Sequence, residues 1–156
     1  MQILDNSLRD QIGETFVSQK QFSEQLRKSE YKERLQTLRR FEEVFRASFD
    51  EMYEAAAKDF SRPKTEVDMT EIMVVLSELA LVRKNLKKWM KPKKVLPTLL
   101  LFGTSSQIIK EPKGVTLIIS PWNYAFNLTF NPMISAIAAG NTVIIKPSEH
   151  SPNMSR

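Results

Sequence analysis

Two polar clusters, each directly after an apolar run, contain the residues of this sequence that are best suited to chemistry. Pro121-Trp122-Asn123 follows VTLIIS (115–120), and KPSE (146–149) follows TVII (142–145). An asparagine amide that is held rigidly can donate a hydrogen bond to a developing oxyanion. A lysine and a glutamate across a proline turn can offer a donor and an acceptor to a ribose diol. In the alternative interpretation, Asn123 only caps a turn and KPSE is a polar surface loop.

The elements around these clusters predict a βαβ unit. VTLIIS is a continuous apolar run, typical of a parallel strand that is buried on both faces. The segment 126–139 predicts a helix that begins near Pro132, because proline suits the first helical turn, and that ends at Gly140. Residues 142–146 predict the second strand. Ligands of open α/β sheets bind at the carboxyl ends of the strands, so both clusters are expected to face one crevice.

The residues before this unit predict long helices, because the first 90 positions contain only Gly13 and Pro63 as breakers. Ser29 is a plausible N-cap for a long helix that continues to residue 60. Its apolar residues recur every three or four positions and predict one buried face: Leu35, Leu38, Phe41, Phe45, Phe49, Met52, Ala56 and Phe60.

A second helix is predicted after the break at residues 61–63. It begins near Thr65, with Asp68 in a loose capping-box arrangement, and it ends before Pro92 because the residue before a proline avoids the helical region. Its apolar stripe also has helical spacing: Ile72, Val75, Leu79, Val82, Leu86 and Trp89. Helices followed by a strand–helix–strand pattern predict the α/β class.

Between the helices and the βαβ unit lies the apolar segment KVLPTLLLFGTSSQIIKEPKG (94–114). It predicts two strands around a turn at residues 103–106. A hairpin that is so apolar is a poor free-standing edge, and we expect it to be covered, plausibly by another subunit.

Composition excludes several classes of function for these 156 residues. The absence of cysteine excludes disulfides, cysteine-ligated metals and a cysteine nucleophile within this chain, and no metal site is predicted. The net charge of +5 is concentrated in residues 82–95, which is typical of a basic helix end rather than of a nucleic-acid binder. No run approaches a membrane span of about 18 apolar residues, and no signal peptide is visible. The sequence therefore predicts a cytoplasmic protein.

The segment GVTLIISPWNYAFNLTFNPMISAIAAGNTVIIKPSE (114–149) resembles the aldehyde dehydrogenase superfamily. It looks most like the branch that includes class 3 and fatty aldehyde dehydrogenases. LKKWMKPKKV (86–95) and IIKEPKGV (108–115) are similar to the same branch. The PWN turn and the AAGN…KPSE block carry the resemblance together. This branch usually has proline where this sequence has Ala125.

The resemblance implies a fold with N-terminal helices, an oligomerisation hairpin and the start of a Rossmann-like parallel sheet. The implied divisions are 1–92 (helical part), 93–113 (hairpin) and 114–156 (first βαβ unit). The hairpin at 95–111 would form a homodimer interface. The implied activity is NAD(P)-dependent oxidation of an aldehyde to a carboxylate through a cysteine thiohemiacetal and thioester, with membrane association left open.

The resemblance also assigns roles to the two clusters. It implies that Asn123 is the amide donor of an oxyanion hole, and that Lys146 and Glu149 contact the adenosine ribose of NAD or NADP. The cofactor cleft would be lined by residues at the strand ends: Ile119, Ser120, Pro121, Trp122, Pro147 and Ser148. Tyr124 and Phe126 either wall the substrate tunnel or pack in the core.

In this comparison the family's nucleophilic cysteine and general-base glutamate are expected after residue 156. We therefore expect an N-terminal portion that is inactive alone. Two alternatives remain at this point: a non-catalytic oligomerisation or interaction module, and a reductase or acylating member of the same superfamily.

Overall fold

The computed structural model of the protein describes residues 6–156. The described residues form six α-helices: α1 (Asn6–Leu26), α2 (Tyr31–Ala47), α3 (Phe49–Phe60), α4 (Lys64–Val67), α5 (Met73–Trp89) and α6 (Ala125–Ala138). A π-helical segment (Asp68–Ile72) joins α4 to α5, and a 3-10 turn spans Leu99–Leu101. The strands are β1 (Lys93–Val95), β2 (Ser106–Ile108), β3 (Val115–Ile119) and β4 (Thr142–Lys146).

The predicted apolar face of the N-terminal helices is buried at Leu38, Phe45, Met52 and Ala56 and half-buried elsewhere, but the prediction of one long helix is wrong. The chain leaves helical geometry at Ser48, where the backbone has φ −92° and ψ 7°, and this residue separates α2 from α3. The Ser48 hydroxyl donates to the carbonyl of Val44 at 3.0 Å, a side-chain bond that favours a bend. The core lies where α2, α3, α5 and α6 meet, and its most deeply buried apolar residues include Leu38, Ala56, Val75, Leu79 and Ile134.

The starts of α2 and α4 lie within one residue of those predicted, but their capping contacts differ. α2 has Glu30 as its N-cap, and the Glu30 N–H donates to the Glu33 carboxylate at 2.6 Å. Ser29 instead accepts a hydrogen bond from the Arg34 guanidinium. The second predicted helix begins at Lys64, and Asp68 bonds to the hydroxyl of Tyr53 on α3 rather than closing a capping box.

The hairpin is present as predicted, with very short strands. β1 and β2 pair antiparallel and join no other strand of residues 6–156. The connection between them is open to solvent: Leu96, Leu99, Leu100 and Phe102 each expose 90% or more of their surface.

The predicted βαβ unit is confirmed. β3 and β4 pair in parallel, with Val115 opposite Thr142 and Ile119 opposite Lys146, and α6 is the crossover. α6 begins at Ala125 and not near Pro132, which lies inside the helix. A distant carboxylate, described below, satisfies the first N–H groups of this helix and permits the earlier start.

The prediction that β3 is buried on both faces is wrong for the described residues. Ile118 is buried, whereas Leu117 and Ile119 expose 59% and 69% of their surface. Both α1 and α6 contact the two strands. No helix within residues 6–156 covers the outer face at the carboxyl end of β3, so its alternate side chains remain exposed.

Candidate functional site

The two strand ends lie side by side at one edge of the parallel pair. The N–H of Ser120, directly after β3, donates to the carbonyl of Lys146 at the end of β4, at 3.0 Å. A cavity of about 350 Å³ opens between them, and it is lined by Ser120 and Pro121 on one side and by Pro147 and Ser148 on the other. The structure therefore brings the two strand ends together, and one part of each sequence cluster lines the crevice. Trp122, Asn123, Lys146 and Glu149 are not among its lining residues.

Asn123 is partly buried in the turn that follows β3, and its amide has a defined orientation. Its Oδ1 accepts a hydrogen bond from Arg62 Nη2 at 2.8 Å. A guanidinium only donates, so the amide oxygen must face Arg62 and the NH2 group must face away from it. Nδ2 has no acceptor among the described residues. The arrangement leaves a positioned donor.

Arg62 lies in the connection between α3 and α4, and its side chain is only 11% exposed. Besides Asn123, it donates from Nη1 to Glu71 Oε1 at 2.8 Å. Its Cζ atom lies 5.1 Å from the centroid of the Tyr124 ring and 5.7 Å from that of Phe60. In the sequence, Arg62 is recognisable only as part of the predicted helix break at residues 61–63.

Glu71 is fully buried in the π-helical segment and joins Arg62 to the start of α6. Its Oε2 accepts hydrogen bonds from the N–H of Phe126 at 2.8 Å and of Asn127 at 3.4 Å. Burial raises the pKa of Glu71, although these two N–H groups and Arg62 oppose the rise. One available signal was missed: Glu71 lies four residues before Val75 and so falls on the apolar face of the predicted helix.

The residues around Asn123 are placed by packing and by an unusual backbone. Tyr124 has φ 50° and ψ 47°, in the left-handed region, and its side chain is partly exposed beside Arg62. Trp122 is about half exposed and contacts the ring of Phe60. Phe126 is buried, stacks against Phe130 with 6.4 Å between ring centroids, and also lines the crevice. Of the two predicted tunnel residues, Phe126 thus belongs to the core as well.

The second cluster carries exposed charge. Lys146 Nζ and Glu149 Oε2 form an exposed ion pair at the carboxyl end of β4. The hydrogen bond from Lys146 lowers the pKa of Glu149. Between them, Pro147 is exposed and Ser148 is buried, with Ser148 Oγ accepting from the His150 N–H at 3.2 Å. Both charged groups remain accessible to a ligand.

The segment after KPSE is anchored by Asp59, at the end of α3. Its carboxylate accepts hydrogen bonds from the backbone N–H and the Nδ2 of Asn153, at 3.0 and 2.6 Å, and from the N–H of Met154 at 2.9 Å. Burial would raise the pKa of Asp59, but these bonds and the charge of Arg156 outweigh it and lower the pKa. No local pattern in the sequence indicates this contact.

No cluster of three or more histidine and acidic side chains within 6–156 is placed to hold a metal ion. No helix in the same range is both long and apolar enough to cross a membrane.

Comparison with known proteins gives consistent matches. The sequence model of the "Aldehyde dehydrogenase family" matches residues 6–156. The chain is 41% identical to the 4,4'-diaponeurosporen-aldehyde dehydrogenase of Staphylococcus aureus over 145 residues, which cover 93% of this chain and 32% of that protein. It is 48% identical to aldehyde dehydrogenase family 3 member B2 of Mus musculus over 102 residues, covering 65% of this chain and 21% of that protein.

Solved structures show the same similarity. The substrate-bound state of Staphylococcus aureus AldH superposes with a TM-score of 0.89 and 40% identity, covering all of this chain and 32% of that one. A succinic semialdehyde dehydrogenase from Streptococcus pyogenes in complex with NADP+ has a TM-score of 0.82 over 99% of this chain and 33% of its own. At 16% identity, the second match concerns the fold alone. The chain spans about a third of the length of these structures.

Proposed function

This chain belongs to the aldehyde dehydrogenase family, as the resemblance predicted, and we propose that the whole protein oxidises an aldehyde to a carboxylate with NAD or NADP. One observation carries the proposal. The Asn123 amide lies at a strand end with its oxygen bound by Arg62 and its NH2 group unpaired among the described residues. This geometry suits donation to an oxyanion better than the capping of a turn.

The role of Asn123 follows from where charge develops. Attack on an aldehyde carbonyl converts its oxygen to an oxyanion, and a donor that is already oriented stabilises this charge without reorganisation. Such a donor contributes about 3–4 kcal/mol to acyl-transfer transition states. Arg62 places a positive charge behind the amide, which polarises its N–H bonds in the same direction.

The carboxyl end of β4 carries groups that suit the ribose of a nicotinamide dinucleotide. Lys146 and Glu149 present an ammonium donor and a carboxylate acceptor three residues apart, both exposed. Each can exchange part of its present ion pair for a ribose hydroxyl. The cofactor, when bound, supplies the hydride acceptor. A carboxylate near the 2′-hydroxyl favours NAD electrostatically over the 2′-phosphate of NADP.

The test is Asn123→Asp in the full polypeptide. Aspartate keeps the shape and an oxygen partner for Arg62 but replaces the NH2 donor with an acceptor. We expect kcat for aldehyde oxidation to fall at least roughly 10²–10³-fold. Asn85→Asp is the matched control, because Asn85 Nδ2 donates to the Leu81 carbonyl on α5, remote from the crevice. Unchanged turnover in the Asn123 variant, with the control also active, removes this amide from the mechanism.

The hairpin supports a second part of the proposal, a homodimer formed through residues 95–111. Its apolar connection is almost fully exposed, and β1 and β2 pair only with each other within residues 6–156. A second copy is the simplest partner for such a surface. The same isolation supports a hairpin unit at 93–113 between the helical part, 1–92, and the βαβ unit, 114–156.

A further inference from the structure

We propose that Arg62 and Glu71 are positioning residues that set which face of the Asn123 amide is presented to the reacting carbonyl. The inference rests on the oxyanion role proposed above for Asn123 and adds the device that orients it. Neither residue lies in the two sequence clusters, and neither is expected to touch substrate or cofactor.

An asparagine amide can adopt two orientations at the end of its side chain. A half-turn about its last side-chain bond exchanges the oxygen and the NH2 group within nearly the same shape. Without a neighbour, both orientations are accessible, and only one of them turns the NH2 donor away from the Arg62 side. Arg62 Nη2 lies 2.8 Å from Oδ1, so the flipped amide would place two donors against each other. Arg62 therefore selects the orientation with the NH2 group outward.

Arg62 is itself held in place by Glu71. Its two terminal nitrogens divide their hydrogen bonds: Nη1 donates to Glu71 at 2.8 Å and Nη2 donates to Asn123 at 2.8 Å. The planar guanidinium couples these two directions rigidly. Glu71 is fully buried and fixed by the N–H of Phe126 at 2.8 Å, so it gives Arg62 an immobile partner.

Glu71 also holds the backbone that follows Asn123. α6 has no side-chain cap from its own N-cap residue, Tyr124, whose backbone is left-handed. The Glu71 carboxylate bonds to the N–H groups of Phe126 and Asn127 instead. One carboxylate thus fixes both Arg62 and the start of the helix that follows Asn123. The π-helical segment Asp68–Ile72 that carries Glu71 is of a kind often found at functional sites.

The test is a double-mutant cycle in the full polypeptide. Arg62→Lys is measured in the wild-type background and in an Asn123→Ala background. Lysine keeps the charge next to Glu71, but one ammonium cannot reproduce two coupled bonds in fixed directions. We expect kcat to fall roughly 10- to 100-fold, with the KM for the cofactor unchanged. In the Asn123→Ala background, Arg62→Lys is expected to cause no further loss, because no amide remains to orient.

The control is Arg46→Lys. Arg46 also makes two bonds, from Nε and Nη2 to Glu42 at 3.1 and 2.9 Å, and it lies on an exposed face of α2. Its kcat is expected to match that of the wild type. If Arg62→Lys does not fold, Glu71→Gln replaces it in the same comparison, since glutamine keeps an acceptor for Phe126 but loses the buried charge beside Arg62. The second carboxylate near Arg62, that of Glu66 at 3.6 Å from Nε, is half-exposed and stays in place.

The outcomes separate the two proposals. An equal fold loss from Arg62→Lys in the wild-type and Asn123→Ala backgrounds overturns the positioning role. Absence of aldehyde oxidation in the wild type, or full activity of Asn123→Ala, overturns the proposed function instead. In that case, crystal structures of the wild type and Arg62→Lys decide positioning alone: a rotated or disordered Asn123 amide in the variant supports it, and an unchanged amide refutes it.

Discussion

Gly140, which follows α6, offers a quantitative test of how the helix end is packed. Its φ is +88°, and a Cβ atom added there would lie 2.6 Å from Cζ of Arg34. Arg34 donates from Nη1 to the Ala138 carbonyl at 3.2 Å and from Nε to Ser29 Oγ at 2.8 Å. Gly140→Ala is therefore expected to strain the backbone and to displace a guanidinium that anchors this end of α6 to α2.

Two costs contribute to the expected loss. A non-glycine residue in the left-handed region costs roughly 1–2 kcal/mol. Displacing Arg34 from one of its hydrogen bonds costs about 1.5–3 kcal/mol, since the donor is charged. Together they predict a decrease of about 2.5–5 kcal/mol in the free energy of unfolding, measured by urea denaturation with tryptophan fluorescence.

The control and the refutation use two further variants. Gly13→Ala lies within α1 with nothing within 4 Å of the added Cβ, so a gain of about 0.5–1 kcal/mol is expected. In an Arg34→Ala background, Gly140→Ala should cost only the backbone strain, roughly 1–2 kcal/mol. A loss below about 1 kcal/mol in the wild type, or the same loss in both backgrounds, refutes the steric argument.

The remaining two predictions concern the hairpin and the segment after KPSE. Leu100→Glu should raise the dissociation constant of the proposed homodimer roughly tenfold or more in analytical ultracentrifugation, because it puts a charge into the apolar interface. The control Leu81→Glu, on the half-exposed surface of α5, should leave this constant unchanged. Equal dimerisation of both variants contradicts the hairpin interface. The second change is Asp59→Asn. In the folded wild type the pKa of Asp59 lies below the ordinary 3.8, so its carboxylate stabilises the fold above pH 3.8. This stabilisation is lost as the pH falls through the pKa of the folded state. The variant should be less stable than the wild type at pH 7 by roughly 1–3 kcal/mol, and the difference should narrow in acid; a gap in the urea midpoint that does not change with pH contradicts the role of this carboxylate.

The features that the sequence predicted are those with local causes. The run 115–119, the Gly140 helix end and the run 142–146 identify the βαβ unit because strand period and turn chemistry act over a few residues. The neighbouring strand ends then follow from the handedness and pairing of such a unit. The position of Asn123 in the turn after β3 was predictable for the same reason.

The features that were missed depend on contacts between distant residues. Arg62 and Asn123 are 61 positions apart, and Glu71 and Phe126 are 55 apart. α6 starts at Ala125 because Glu71 satisfies its first N–H groups, so no local signal near residue 125 marks the start. The left-handed Tyr124 and the π-helical segment likewise depend on this packing, and neither has a clear sequence pattern.

One short stretch of chain serves as a common reference frame for both sides of the crevice. Asp59 binds the segment after β4, and Arg62, three residues later, binds the turn after β3. Both sides are thus held by the same segment between α3 and α4, in addition to the backbone hydrogen bond from Ser120 to Lys146. A displacement of that segment would carry both sides with it and preserve the spacing between them. The width of the crevice is therefore maintained by a segment that contributes no lining residue to it.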